Sequence, residues 1–212
     1  MRLDAVTVDA FGTLLELVDP AKRLRRALAA HGYERDEAAV ARAFALEAEV
    51  YVARSHEGRD EETLAELRRD CAAVFLEALA VALEPGSFVP AFVAALDFRL
   101  LPGTVPALDR LRSASFRLAC VTNWDYTFPE HLALLGIASR FETVVTSAEA
   151  GAPKPDPAIF RLALARLGVE PRQALHVGDS EADRLGAHAA GLAFAPVPLA
   201  TLPERLGLGE MT

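Results

Sequence analysis

Hydrophobic and polar positions fall into two regimes along the chain. Residues 3–13 read LDAVTVDAFGT, an apolar run with β-branched Val6 and Val8 and no proline, which ends abruptly on Asp9 and turns through Gly12. That pattern predicts a buried central strand of a parallel sheet that delivers a carboxylate at its C-terminal end. Across residues 15–97 the apolar positions instead recur at three- and four-residue steps, with no strand pattern among them. Asp19-Pro20 reads as an N-cap followed by proline at N1, opening a helix through Leu24, Leu28 and His31 that stops at Gly32. A second helix over residues 36–54 carries Val40, Phe44 and Val50 on its apolar stripe and puts Glu37, Glu47 and Glu49 on its wet side. A third, capped by Asp60, turns Leu64, Leu67, Cys71, Val74, Phe75, Leu79 and Ala82 inward and ends at Glu84-Pro85-Gly86. Ser87 then starts a short fourth helix towards Phe98.

From Leu101 onward strand and helix patterns alternate, the mark of βαβ units and a parallel sheet. Strands are expected over residues 116–122, 143–146, 174–177 and 193–197, with helices over 104–111, 128–135, 157–167 and 181–190. Together with the first strand this makes an α/β chain with a five-stranded parallel sheet. Its core comprises residues 1–14 and 98–212, and residues 15–97 form an inserted all-α unit.

Composition narrows the picture. A chain of 212 residues that is 52% hydrophobic can bury a sizeable core. Its formal charge of -8, without a basic stripe interleaved with aromatics, argues against nucleic acid as a partner. No apolar run reaches membrane-spanning length and the chain opens directly on a strand, so a soluble, cytoplasmic protein with no membrane partner is expected. Cys71 and Cys120 match no metal-site spacing and read as small buried hydrophobes. Lys22 and Lys154 are the sole lysines, every other basic residue being arginine, which marks Lys154 as a position that needs a compact ammonium; Lys22, at a helix start, reads as surface.

The first four expected strands end on, or are followed by, groups suited to a phosphate, a metal or a nucleophilic attack: Asp9, Thr122-Asn123, Lys154 and Gly178-Asp179. Each has an ordinary reading as a strand-end, turn or solvated loop residue. Their shared placement at one sheet edge is harder to explain that way. Asp179 and Asp183 lie four apart where a turn opens a helix, and paired carboxylates with open positions suit Mg²⁺. The competing reading is helix capping and a favourable first-turn charge.

The segments DAFGT (9–13), VTN (121–123), GAPKPDP (151–157) and HVGDSEAD (176–183) together resemble the four ordered motifs of the haloacid dehalogenase-like hydrolase superfamily, across the whole core. The resemblance implies a Rossmann-like core with a helical cap inserted after the first motif. It implies that Asp9 is a covalent nucleophile, that Thr122 and the Asn123 backbone hold the transferring group, and that Lys154 neutralises it. Mg²⁺ would be held by Asp9, the backbone carbonyl of Phe11, Asp179 and Asp183.

One position departs from the phosphatase pattern. Phosphatases of this family carry a second Asp two residues after the nucleophile, and here that residue is Phe11. General acid–base help contributes about 10² to 10⁴ in rate, so its loss handicaps ordinary alkyl phosphates. Dehalogenases of the family have an aromatic residue there, since halide needs no proton, but they lack the paired acids of the fourth motif. Three readings follow: a Mg²⁺-dependent hydrolase of a small phosphate ester, which the metal motif favours, a metal-free 2-haloacid dehalogenase, or a non-catalytic phosphate- or partner-binding protein. Arg42, in the second insert helix, sits about where dehalogenases bind the substrate carboxylate; its ordinary reading is a solvated helix face.

Overall fold

The computed structural model describes residues 3–209. Strand β1 (Ala5–Val8) is central in a five-stranded sheet whose other members are β4 (Arg117–Thr122), β5 (Thr143–Thr146), β6 (Ala174–Gly178) and β7 (Ala193–Pro196), in the order β5-β4-β1-β6-β7 and parallel throughout. Side chains alternate across it, as a pleated strand requires. Val6, Val8, Leu118, Cys120, Leu175 and Val177 face one core, shared with helices α5 (Thr104–Ser113) and α6 (Phe128–Leu134). Ala5, Ala119, Val121, Val145 and Ala174 face the other, against α8 (Ala158–Leu167) and α9 (Glu181–Ala190). This is a Rossmann-like α/β sheet covered on both faces, and its carboxyl edge gathers the ends of β1, β4 and β6.

Between β1 and β4 the chain forms α1 (Pro20–Ala30), α2 (Glu37–Arg54), α3 (Glu61–Ala78) and α4 (Pro85–Ala95), which close on a core of their own built from Leu24, Leu28, Val40, Phe75, Phe88 and Phe92. The chain leaves and re-enters the sheet through an antiparallel pair that periodicity does not reveal, β2 (Leu15–Leu17) and β3 (Phe98–Leu100), with Glu16 facing Arg99 at 2.8 Å. Three-residue strands are too short to show a period.

The structure corrects several local expectations. Asp19 adopts φ 45° and its side chain caps nothing, so proline at N1 carries that helix start alone. The Glu84-Pro85-Gly86 segment begins α4 rather than ending α3: Glu84 accepts from the backbone N–H groups of Gly86 and Ser87, and Pro85 takes N1, where its missing donor costs nothing. Helix α3 ends earlier, at Ala78, with the turn made by Ala80 at φ 50°. Glu47, expected on the wet side of α2, is buried beside Cys71. Short helices α7 (Ser147–Ala150) and α10 (Leu202–Arg205) carry too few residues for a periodic signal. Cys71 and Cys120 are free and buried, as expected. Among the described residues no helix is long and apolar enough to cross a membrane.

Candidate active site

Asp9 follows β1 directly and is held in line by its backbone N–H, which donates to Val177 O at 2.9 Å. The chain then reverses tightly around Ala10, whose carbonyl accepts from Leu14 and Leu15. Gly12 makes this turn possible twice over. Its φ is +77°, and a Cβ there would lie 2.0 Å from Asp179 Oδ2, so the Asp179 carboxyl fits against the first loop because no side chain intervenes.

Lys154 is the hub. Its ammonium donates to Asp9 Oδ1 at 2.5 Å, to Asp183 Oδ1 at 2.6 Å and to Val121 O at 3.2 Å, matching its three protons with three acceptors. Asn123 sets the loop that carries it: its side-chain carbonyl accepts from Lys154 N at 2.7 Å and its amide donates to Lys154 O at 3.2 Å. Burial pulls the lysine pKa down, but Asp9 and Asp183 outweigh burial and hold the ammonium above the ordinary lysine range. Thr122 is buried at the end of β4, in the strand next to β1.

Asp183 stands at the N-terminus of α9 and forms a capping box with Ser180. Its Oδ1 accepts from Lys154 and from His176 Nε2 at 3.0 Å, while Oδ2 accepts from Ser180 N at 3.1 Å and Ser180 Oγ at 2.5 Å. Despite burial, those donors, His176 and Lys154 foremost, hold its carboxyl well below the usual range. Burial pushes the Asp9 carboxyl up more than Lys154 pulls it down, with Asp183 and Asp179 adding to the rise. Asp179 is raised by burial and by Asp183.

Oxygens of Asp9, Asp179 and Asp183 lie within 4.8 Å of one another. Three carboxylates against one ammonium leave an excess of negative charge in a mostly buried space, and hard oxygen donors of this kind suit a small divalent cation. The donor set therefore fits Mg²⁺, with one refinement. All four acceptor directions of Asp183 are occupied by protein donors, whereas the Asp179 carboxyl accepts only from its own backbone N–H and from no other described residue.

Phe11 is not a core residue. Phe11 is 47% exposed, two residues after the buried Asp9. Arg42 lies on the exposed face of α2 and makes no hydrogen bond or ion pair with any of these groups. The contacts that join the helical unit to the sheet carry no motif in the sequence. Tyr51 of α2 donates to Asp125 Oδ2 at 2.8 Å, Ser55 Oγ meets Ser147 Oγ at 2.7 Å, and Tyr126 N donates to Gly58 O at 2.9 Å. Asp125, two residues beyond Asn123 in the same loop, was the available signal.

A carboxylate-centred site at the carboxyl edge of a Rossmann-like sheet, with a helical insertion directly after its first strand, defines a class of α/β hydrolase. The chain belongs to the haloacid dehalogenase-like hydrolases, whose pattern it matches over residues 3–191. It is 41% identical over 102 residues to haloacid dehalogenase-like hydrolase domain-containing protein 3 of Mus musculus, covering 48% of this chain and 41% of that protein. It is 42% identical over 98 residues to glyceraldehyde 3-phosphate phosphatase of Methanopyrus kandleri, covering 43% and 40% respectively. These matches thus span less than half the length of the relatives. In fold it resembles the HAD-hydrolase YfnB of Bacillus subtilis, with TM-score 0.79, and the L-2-haloacid dehalogenase RSc1362, with TM-score 0.75; each is 19% identical and covers 98% of this chain and 100% of the other.

Proposed function

We propose that the protein is a Mg²⁺-dependent phosphohydrolase that acts through an aspartyl-phosphate on a small phosphorylated compound with a good leaving group. The observation that carries this reading is a third carboxylate, Asp179, which no other described residue engages, beside the Lys154 ammonium that bridges Asp9 and Asp183. A metal-free displacement of halide could use Asp9 and the Lys154 anchor Asp183, but it has no use for Asp179, which neither attacks nor holds the lysine. Relatives named as phosphatases, such as the glyceraldehyde 3-phosphate phosphatase of Methanopyrus kandleri, favour the same choice.

Asp9 attacks phosphorus, forming an Oδ–P bond as the bond to the leaving oxygen breaks; water then attacks the same phosphorus and releases the carboxylate and inorganic phosphate. Lys154 offsets the charge of the transferring group while holding Asp9 in line, and the Thr122 hydroxyl and Asn123 backbone N–H receive its oxygens. Asp9, Asp179 and the Phe11 carbonyl would hold Mg²⁺, with Asp183 anchoring Lys154 and contributing through the shell around it. The cation supplies charge neutralisation where nucleophile and phosphate, both anionic, must meet. Residues 15–97 serve as the lid in which substrate selection resides. Phe11 leaves the departing oxygen without a proton donor, which restricts efficient turnover to leaving groups stable as anions.

The same position supports dehalogenation as the second reading. One panel of phosphomonoesters and 2-halo acids, assayed with Mg²⁺ and with chelator, separates the two. Phe11→Asp should raise hydrolysis of alkyl phosphates by about ten-fold or more, and that of p-nitrophenyl phosphate by less. Phe11 is half-exposed, so the substitution loses little packing, and unfolding measured with Mg²⁺ present checks that the variant folds with a fourth carboxylate beside the site. A folded variant without preferential gain on alkyl phosphates removes the missing-acid argument. Chelator-insensitive halide release would move the assignment to dehalogenase.

A further inference from the structure

We infer that His176 is a positioning residue for this site: through Asp183 it fixes the Lys154 ammonium against Asp9. It occupies the middle of β6, is fully buried, and stands in register with Thr7 of β1. Apolar neighbours surround it, with Phe160 edge-on at 4.8 Å and Phe194 at 6.3 Å between ring centroids. An aliphatic residue would fill that space without the cost of burying two ring nitrogens. Both nitrogens have specific partners instead: Nδ1 lies 2.9 Å from Thr7 Oγ1, and Nε2 lies 3.0 Å from Asp183 Oδ1.

The direction of these bonds follows from the acceptor at the end. Ionised Asp183 only accepts, so Nε2 carries the proton; a neutral imidazole then accepts at Nδ1, and the Thr7 hydroxyl donates. A directed chain results, Thr7 to His176 to Asp183, meeting Lys154 at the same Oδ1 that His176 holds. Ser180 fixes the other oxygen. Asp183 is thus pinned at both oxygens, and Lys154 gains a fixed point opposite Asp9. His176 makes no hydrogen bond to the proposed nucleophile or to Lys154, so its hydrogen-bonded route to the site runs through Asp183.

The catalytic half of the test rests on the phosphohydrolase reading, and the spectroscopic half does not. His176→Leu removes the donor and keeps an apolar filling; His176→Gln places an amide N–H where Nε2 was. In the leucine variant kcat for p-nitrophenyl phosphate should fall by about ten- to a hundred-fold with KM nearly unchanged, and glutamine should restore most of it. Lys154 is one of only two lysines, and the other, Lys22, is exposed on α1. With Lys22→Arg as the assignment control, the side-chain ammonium ¹H–¹⁵N signal of Lys154 should be sharp in wild type, shifted or broadened in His176→Leu, and back in place in His176→Gln. If wild type hydrolyses no phosphate, the phosphohydrolase reading fails and the Lys154 signal alone decides the positioning role. An unmoved signal and unchanged kcat in a folded His176→Leu overturn it. If the leucine variant does not fold, a displaced Lys154 signal in folded His176→Gln overturns it as well, and a retained signal supports it.

Discussion

Replacing Glu47 with glutamine isolates a buried carboxyl that has no part in the proposed chemistry. Glu47 is 5% exposed on α2, with Cys71 of α3 beside it and no cation paired to it among the described residues. Burial raises its pKa from 4.5 to about 7, the Cys71 contact lowering it slightly, while burial and then Glu47 push the Cys71 thiol up to about 12. The folded state therefore holds a proton that the unfolded chain releases near its lower pKa. Stability from this group is fully present below the unfolded pKa and is lost as pH rises through the folded one. Integrated from pH 5 to pH 8, the difference in bound protons amounts to about 2.5 kcal/mol lost by the wild type. Glutamine fills the same space without a charge to bury, so Glu47→Gln should match wild type near pH 5 and exceed it at pH 8. For a chain of this size that corresponds to about 5–10 °C in Tm. Thermal unfolding of both proteins across this pH range gives the difference with the other titrating groups cancelled, apart from Cys71, whose raised thiol stays protonated in the folded state throughout. A flat difference, or a glutamine variant that loses ground as pH rises, would refute the assignment of a raised pKa to burial.

Asp9→Asn should abolish turnover, and undiminished activity in the folded variant would remove the covalent route. Calorimetry should show Mg²⁺ binding by wild type that Asp179→Ala loses, since Asp179 is the one of the three acids that no other described residue holds; equal binding by both would place the cation elsewhere. Tyr51→Phe leaves Asp125 Oδ2 without its donor at the junction of α2 and the loop after β4. Denaturant unfolding should show a loss of about 1–3 kcal/mol, and no measurable change would mean that water replaces the phenol there.

The helical unit shows how far periodicity reaches. The three- and four-residue spacing of Leu24 and Leu28, or of Leu64, Leu67 and Cys71, is a local property that the backbone alone converts into a buried stripe, and those residues are buried. The same rule misplaced Glu47. A helical wheel says which residues share a face, but the width of the buried face depends on how closely α3 packs against α2. Glu84 and Pro85 show a related ambiguity, since a turn signal does not say whether the turn ends one helix or begins the next.

At the site, the residues were legible and their connections were not. Asp9, Thr122, Lys154, Asp179 and Asp183 follow from local motif spacing and from the rule that strand ends of a parallel sheet share one edge. Which oxygen Lys154 holds, that Asp183 has no acceptor direction to spare, and that His176 stands behind it depend on pairings up to 169 residues apart in sequence. Sequence by itself determined the residue types, the helical stripes and the strand ends, because these follow from bonding and burial within a few neighbouring positions. Only the tertiary structure decided which hydrogen-bonding capacity stays open and which is spent, because donors and acceptors from β1, β4, β6 and α9 compete for partners only after the sheet has brought them together.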